Sequence, residues 1–266
     1  MSSREVPAAT ADVPPDAAVI VADAHLGHSP DSPSDLAFTR FLHAVPRLGN
    51  HLVLAGDLFD FWFEYRSVIP ASAFPILSAL DTLRARGVRL SVLGGNHDRW
   101  GGEFWRTHLG AIFSRDTLEI ELAGRRALLH HGDGLAEQHR SAAVMHRITR
   151  HPATAFMFRW VHPDVGIWLV RRMSRLLGQS TRDDAVLERA RRAQEEYARR
   201  MLAQRDDVSL VVLAHTHRPA LTEVDAGRWY LNPGSWMTDM RYAIVDRNGP
   251  RLEQFGAGGC VADVVT

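Results

Sequence analysis

The sequence predicts an α/β fold built on a layered sheet, and three observations predict it. Apolar, partly β-branched runs alternate with amphipathic helical segments. Five of those runs stop abruptly at clusters of aspartate, histidine or asparagine. No internal repeat or sustained heptad competes with that reading.

The first strand is Ala17 to Ala22 (AAVIVA), which breaks at once into Asp23-Ala24-His25. The pattern recurs four times. His51 to Ala55 runs into Gly56-Asp57, and Arg89 to Leu93 into Gly94-Gly95-Asn96-His97-Asp98. Arg126 to Leu129 runs into His130-His131-Gly132-Asp133, and Val208 to Leu213 into Ala214-His215-Thr216-His217. In open α/β sheets the ligand site lies beyond the carboxyl ends of the strands, where all five clusters fall.

Two helices are predicted between the early strands. Ser34 to Leu48 puts Leu36, Phe41, Leu42 and Val45 on one face; Pro70 to Arg86 does the same with Phe74, Leu77, Leu80 and Leu83, and Gly87 stops it. From about Leu135 to Gln204 the alternation gives way to helical patterns. His162-Pro163-Asp164 opens a helix with a stripe of Val165, Trp168, Leu169, Met173 and Leu176, ended by Gly178. Asp184 to Gln204 forms another, with Val186, Ala190, Ala193, Tyr197 and Met201 on one side and Glu195/Arg199 and Glu196/Arg200 four residues apart. This block interrupts the clusters and reads as a helical lid inserted over the site. Arg228 to Leu231, Tyr242 to Asp246 and Arg251 to Phe255 are short strands, with a turn at Asn248-Gly249. The organisation expected is a flexible tail at 1–16 and one domain at 17–266 carrying the lid at about 135–204.

Composition narrows the function classes. With 45% hydrophobic residues the chain can bury a substantial core, and its formal net charge of +0 provides no global field to recruit nucleic acid. All 31 basic residues are arginine, which we attribute mainly to coding bias. The single cysteine, Cys260, is compatible with a reducing compartment. The first 16 residues hold no apolar core of signal-peptide type, and the longest strongly apolar patch, Val165 to Val170, falls far short of the ~18 residues of a membrane span. A cytoplasmic protein, at most peripheral to the inner membrane, is expected.

A lone histidine after a strand is usually structural; convergence carries the functional reading. Asp-x-His, Gly-Asp-x-x-Asp, Gly-Asn-His-Asp, His-Gly-Asp and His-x-His follow in order, each at a strand end. They combine hard carboxylate and amide oxygens with borderline imidazoles, a mixture that suits Mn²⁺, Fe or Zn²⁺ rather than Ca²⁺.

That series, from Asp23 to His217, resembles the calcineurin-like metallophosphoesterase superfamily, whose fold is a layered αββα sandwich. The resemblance places Asp23, His25, Asp57 and His217 on one metal, and Asp57, Asn96, His131 and His215 on a second, with Asp57 bridging. Such a pair sits ~3.5–4 Å apart, activates a shared water and neutralises phosphoryl charge, so no protein nucleophile is needed. His97 is expected beside the phosphate as an imidazolium, with Asp98 orienting it. His130 points to the opposite face from His131. Asp60 is expected to support the ligands and Asp133 to cap a turn, while His28 and Trp62 either line the pocket or serve as ordinary packing or surface residues.

Within the superfamily, Gly56-Asp57-Leu58-Phe59-Asp60-Phe61-Trp62, His131-Gly132-Asp133, His215-Thr216-His217-Arg218-Pro219 and the helical insertion resemble the UDP-2,3-diacylglucosamine pyrophosphatases of lipid A synthesis. The resemblance implies cleavage to UMP and an acylated sugar phosphate. It also implies an acyl-chain chamber in the lid, to which Phe156, Phe158, Trp160, Val161, Trp168 and Leu169 would contribute, with Arg171, Arg172, Arg175 and Arg182 meeting phosphate or anionic lipid. One departure bears on substrate: well-known members carry arginine where this chain has His97. A diphosphate leaving group needs charge stabilisation more than a proton, so His97 keeps a broader phosphodiesterase or phosphomonoesterase open. A metal-free scaffold is disfavoured by the intact set of seven ligand side chains, and a nuclease by the absence of a basic stripe.

Overall fold

Apolar runs buried on both faces need cover on both faces, and the chain satisfies this with two stacked sheets flanked by helices. The structure is a computed structural model that describes residues 15–27, 32–135, 151–177 and 184–256. Six strands form the first sheet, in the order β11-β10-β1-β2-β3-β4. They are β1 (Ala18–Val21), β2 (His51–Ala55), β3 (Arg89–Leu93), β4 (Ile112–Ser114), β10 (Arg241–Asp246) and β11 (Gly249–Gln254). The second sheet runs β5-β6-β7-β9-β8, from β5 (Thr117–Leu122), β6 (Arg125–His130), β7 (Leu210–Leu213), β8 (Ala220–Asp225) and β9 (Arg228–Asn232).

The strands β1 to β4 are mutually parallel, as are β6, β7 and β9. Their carboxyl ends therefore deliver the polar clusters to one edge of each sheet. Between the sheets, Ile20, Val53, Ala55 and Leu93 of the first meet Leu129, Leu210, Val212 and Leu231 of the second, all essentially inaccessible to water. Burying each large side chain of this kind contributes about 1.5–3 kcal/mol.

The outer face of the first sheet is covered by α1 (Pro33–Leu48) and α2 (Phe74–Ala85), which bring Phe38, Phe41, Leu42, Val45, Ile76 and Leu80 onto Val19, Leu52 and Val92. Ser32 caps α1 by accepting from the Asp35 amide at 3.1 Å. The expected faces are rotated at one end of each helix: Leu36 and Phe74, the first residues assigned to the two stripes, are exposed, while Phe38 and Ile76 are buried. Three further helices are short: α3 (Glu103–Thr107), α4 (Pro152–Phe158) and, near the carboxyl end, α7 (Trp236–Asp239).

The late helical block consists of α4, α5 (Pro163–Leu177) and α6 (Asp184–Gln204). Its members differ in kind. Ala198 and Leu202 of α6 pack under Leu128, Val211, Leu213 and Tyr230, so α6 is the outer layer of the second sheet and completes the αββα sandwich. Its most buried stripe is Gln194, Ala198 and Leu202, one position along from the expected Ala193, Tyr197 and Met201. By contrast, α4 and α5 leave Phe156, Met157, Trp160, Val165, Trp168 and Leu169 exposed. No described helix is long and apolar enough to cross a membrane. His28, Gly178, Arg182, Cys260 and residues 1–14 of the expected tail lie outside the described residues, as do the side chains of Arg171, Met173, Arg175 and Leu176.

Candidate metal centre

Five predicted ligands sit on backbone that L-residues avoid. Asp23, His25, Asp57, His215 and His217 have φ of 51°, 48°, 52°, 71° and 56°, in the left-handed region. Each costs roughly 1 kcal/mol or more, so the strain has to be offset by the surrounding hydrogen bonds. Those bonds stitch the turns to one another. The Asp23 amide donates to Gly56 O at 3.1 Å, and the Ala24 and His25 amides both donate to Asp57 O. Asp23 O in turn accepts from the Ser235 hydroxyl and the Met237 amide.

Glycines keep the loops in contact. Gly56 has φ 100°, and a Cβ there would enter the His131 ring; a Cβ on Gly95 would enter the Asp57 carboxylate. The spacing Gly-Asp and Gly-Asn-His is thus a packing requirement as well as a motif.

The side chains converge. Asp23, His25 and His217 can each offer a ligand atom within 4.8 Å of the others, and so can Asp57, His131 and His215. A third such group, His25, Asp57 and His97, joins them. His131 Nε2 lies 3.2 Å from Asp57 Oδ2 and 3.9 Å from Asp23 Oδ1, and His217 Nε2 is 3.5 Å from Asp23 Oδ1. Asn96 sits on the loop whose His97 amide donates to Asp57 Oδ1 at 2.9 Å.

The donor set fits divalent cations on a further observation. Asp23 Oδ1, Asn96 Oδ1 and His131 Nε2 are buried without a hydrogen-bond partner of good geometry. Buried polar atoms are mostly satisfied, and two of these, Asp23 Oδ1 and His131 Nε2, lie 3.9 Å apart beside Asp57, which marks a place for a cation. The His131 ring is already oriented for ligation, because its Nδ1–H donates to Ala55 O at 3.1 Å and turns Nε2 toward the carboxylates of Asp57 and Asp23.

Electrostatics describe a site that holds protons where metal would go. Burial disfavours charge on His131, but Asp57 and Asp23 outweigh it and push its pKa up to about 10. Burial lifts Asp23 to about 7, whereas Asp57, against its own burial, is held well below the carboxylate range by His131 and His97. Burial pushes His25 down to about 3 and His215 to about 4, so both are neutral imidazoles.

The remaining predicted residues are placed as follows. His97 Nδ1–H donates to Asp60 O at 2.7 Å, and its ring stands edge-on to His25 with centroids 4.7 Å apart. Its pKa is raised, with Asp57 and the Asp60 carbonyl overcoming burial. The expected orienting pair with Asp98 is replaced by that carbonyl: Asp98 instead accepts the amides of Leu58 and Gly95, both at 2.7 Å, and of Asp57 at 3.3 Å. Asp133 does more than cap a turn, since it forms a buried ion pair with Arg99. Trp62 is corrected from pocket lining to core: it is wholly buried, stacked on Phe59 at 5.2 Å and packed on Phe104 and Trp105. Its loop neighbour Phe61 is only partly buried and meets Phe158 of α4 at 5.8 Å instead. Gln194, Asn232 and Ser235 support the site from within and had no motif to announce them.

Residues 18–219 match the calcineurin-like phosphoesterase family. The chain belongs to that family. This calcineurin-like phosphoesterase is therefore a hydrolase that works with divalent metal ions. It is similar to UDP-2,3-diacylglucosamine hydrolases from Pseudomonas savastanoi pv. phaseolicola (30% identical, covering 89% of this chain and 95% of that one) and Porphyromonas gingivalis (26% identical, covering 84% and 92%). Among solved structures it is similar to Vps29 from Chaetomium thermophilum, with a TM-score of 0.40 and 13% identity over 90% of this chain and 96% of that one. The phosphoesterase Yfce from E. coli aligns with a TM-score of 0.42 and 14% identity, covering 87% and 88%.

Proposed function

We propose that this phosphoesterase holds two divalent cations, Mn²⁺ in preference to Fe or Zn²⁺, and splits the pyrophosphate of UDP-2,3-diacylglucosamine into UMP and the acylated sugar 1-phosphate. The observation that carries the binuclear reading is the position of Asp57. It belongs to two ligand groups at once, one reached through His25 and the other through His131 and His215. In this reading Asp23, His25, Asp57 and His217 hold one ion, and Asp57, Asn96, His131 and His215 the other. When bound, such a pair supplies Lewis acidity, which lowers the pKa of coordinated water and neutralises the phosphoryl oxygens.

The chain's own groups then have defined roles. His97, fixed at Nδ1 by Asp60 O, presents its Nε2–H toward the site, where it donates to a phosphoryl or leaving oxygen. Asp98 keeps the loops after β2 and β3 in register. Arg99 and Asp133 tie the β3 loop to the β6 loop behind the ligands.

The substrate reading is supported by the names of the relatives and by α4 and α5. Phe158 docks this pair onto Phe63 at 4.8 Å and Trp100 at 5.3 Å. The exposed Phe156, Met157, Trp160, Trp168 and Leu169 then offer an apolar surface, which we assign to acyl chains and the membrane they come from, so α4 and α5 serve as the lid. Arg171, Arg175 and Arg182, on or just beyond α5, would meet phosphate or anionic lipid. Zero net charge gives no support to nucleic acid as substrate.

The test is release of UMP from UDP-2,3-diacylglucosamine with Mn²⁺, set beside hydrolysis of bis(p-nitrophenyl) phosphate, simple monoesters and single-stranded DNA. Preference for the acylated sugar nucleotide supports the assignment. Equal or greater activity on simple diesters or monoesters replaces it with the broader phosphoesterase.

A further inference from the structure

Outside the predicted ligands, the most heavily committed polar side chain near the site is Gln194, in the middle of α6. It is fully buried, and both ends of its amide are used. Nε2 donates to Ala214 O at 2.6 Å, immediately before His215. Oε1 accepts from Thr216 Oγ1 at 3.3 Å, Tyr230 OH at 3.3 Å and Asn232 Nδ2 at 3.2 Å. Asn232 Nδ2 also donates to Thr216 Oγ1 at 3.1 Å, closing the network around Thr216.

The same amide touches the other strand end. The Ala214 amide donates to His131 O at 2.9 Å, so the two loops already meet there. Gly132, next to His131, has φ 104°, and a Cβ on it would run into Gln194 Nε2. The bare glycine lets the Gln194 amide lie against both loops. What it braces is strained: His215 and His217 flank Thr216 with φ of 71° and 56°. The His131 and His215 rings stand edge to face, with centroids 5.2 Å apart.

A buried side chain amide costs free energy unless every donor and acceptor is matched. An apolar residue at this point of the α6 stripe would pack against Tyr230 and Leu213 without that requirement. The network therefore serves something other than packing.

We propose that Gln194 is a positioning residue that sets the spacing of His131 and His215, and so the affinity of the metal position these two histidines share. The inference rests on the binuclear reading above. It predicts an unequal defect: with the brace gone, His131 and His215 are both released and their position loosens, while the other position keeps Asp23, His25 and Asp57 and loses only the bracing of the His217 turn.

The experiment is a calorimetric titration of Mn²⁺ into the metal-free full chain, for the wild type, Gln194→Met and Thr216→Val, with melting of each metal-free protein and manganese-edge anomalous maps at limiting metal. Gln194→Met keeps the volume and removes the bonds. We expect wild type to bind two ions, and Gln194→Met to lose about 10–100-fold in one affinity while the other stays within about threefold, as for groups that orient metal ligands. Anomalous occupancy should drop at His131 and His215. Thr216→Val, which deletes one hydroxyl, should give a smaller loss at the same position, and it decides the matter if Gln194→Met does not fold. Unchanged affinities overturn the proposal, as does an equal fall at both positions that follows the melting temperature. A wild type that binds fewer than two ions sinks the binuclear reading itself, and this inference with it.

Discussion

Asp98 and Asp57 follow different strands, and the Asp98 carboxylate receives the Asp57 amide at 3.3 Å together with those of Leu58 and Gly95 at 2.7 Å. One buried side chain thus fixes the backbone on both sides of the Asp57 carboxylate. Burial and the charge of Asp57 raise its pKa to about 6, and the Gly95 and Leu58 amides pull against that rise, so it is ionised at neutral pH. Asp98→Asn keeps one acceptor and turns an N–H toward the amides. It should destabilise the chain by about 1–3 kcal/mol in denaturant unfolding, and weaken Mn²⁺ binding as well. Loss of activity with unchanged stability and metal affinity would mean that Asp98 acts on the substrate.

Removing His97 should separate substrates by leaving group. Its Nε2–H can protonate an alkoxide but adds little to departure of p-nitrophenolate. His97→Ala should therefore lower kcat on an alkyl diester by about 10²–10⁴-fold and on a p-nitrophenyl ester by much less. Equal losses on both would assign His97 to charge stabilisation alone.

Metal binding should release protons. His131 has its pKa pushed up to about 10 and must lose its proton before Nε2 can ligate, so Mn²⁺ affinity should rise by about tenfold per pH unit between pH 7 and 8. Below about pH 7, Asp23 adds a second proton and the dependence steepens. Calorimetry in two buffers of different ionisation enthalpy measures the protons directly, and an affinity that is flat or falls with pH contradicts this description of the site.

Trp62 and Phe158 make a pair of contrasting substitutions. Trp62 is wholly buried, so Trp62→Ala should cost about 3–5 kcal/mol in stability. Phe158→Ala unseats α4 from Phe61, Phe63 and Trp100, and should raise KM for an acylated substrate while leaving hydrolysis of bis(p-nitrophenyl) phosphate nearly unchanged. A Trp62→Ala protein with normal stability and altered KM would return Trp62 to the pocket.

What was legible in the sequence followed from how strongly each element is constrained. Parallel strands buried on both faces must be continuous apolar runs, so β2 and β3 were bounded to the residue, and β1, β6 and β7 nearly so. Their clusters were visible because a left-handed turn at a strand end leaves a short polar motif. Three of the four edge strands escaped notice for the opposite reason: β4 has three residues, β5 fully buries only Leu118 and Leu122, and β8 has no fully buried residue. Trp62 was misplaced because a motif fixes which loop a residue is on, but not which side of the loop faces water. Gln194 was hidden among the charges of Glu188 to Arg200, and only the pairing of β7 with β9 brings Asn232 and Tyr230 beneath it.

Manganese-edge anomalous scattering from crystals grown with Mn²⁺ tests most directly whether a pair of cations shares Asp57. Two peaks ~3.5–4 Å apart are predicted, with Asp57 between them, His25 and His217 on one and His131 and His215 on the other. A single peak, or two that do not share Asp57, would contradict it.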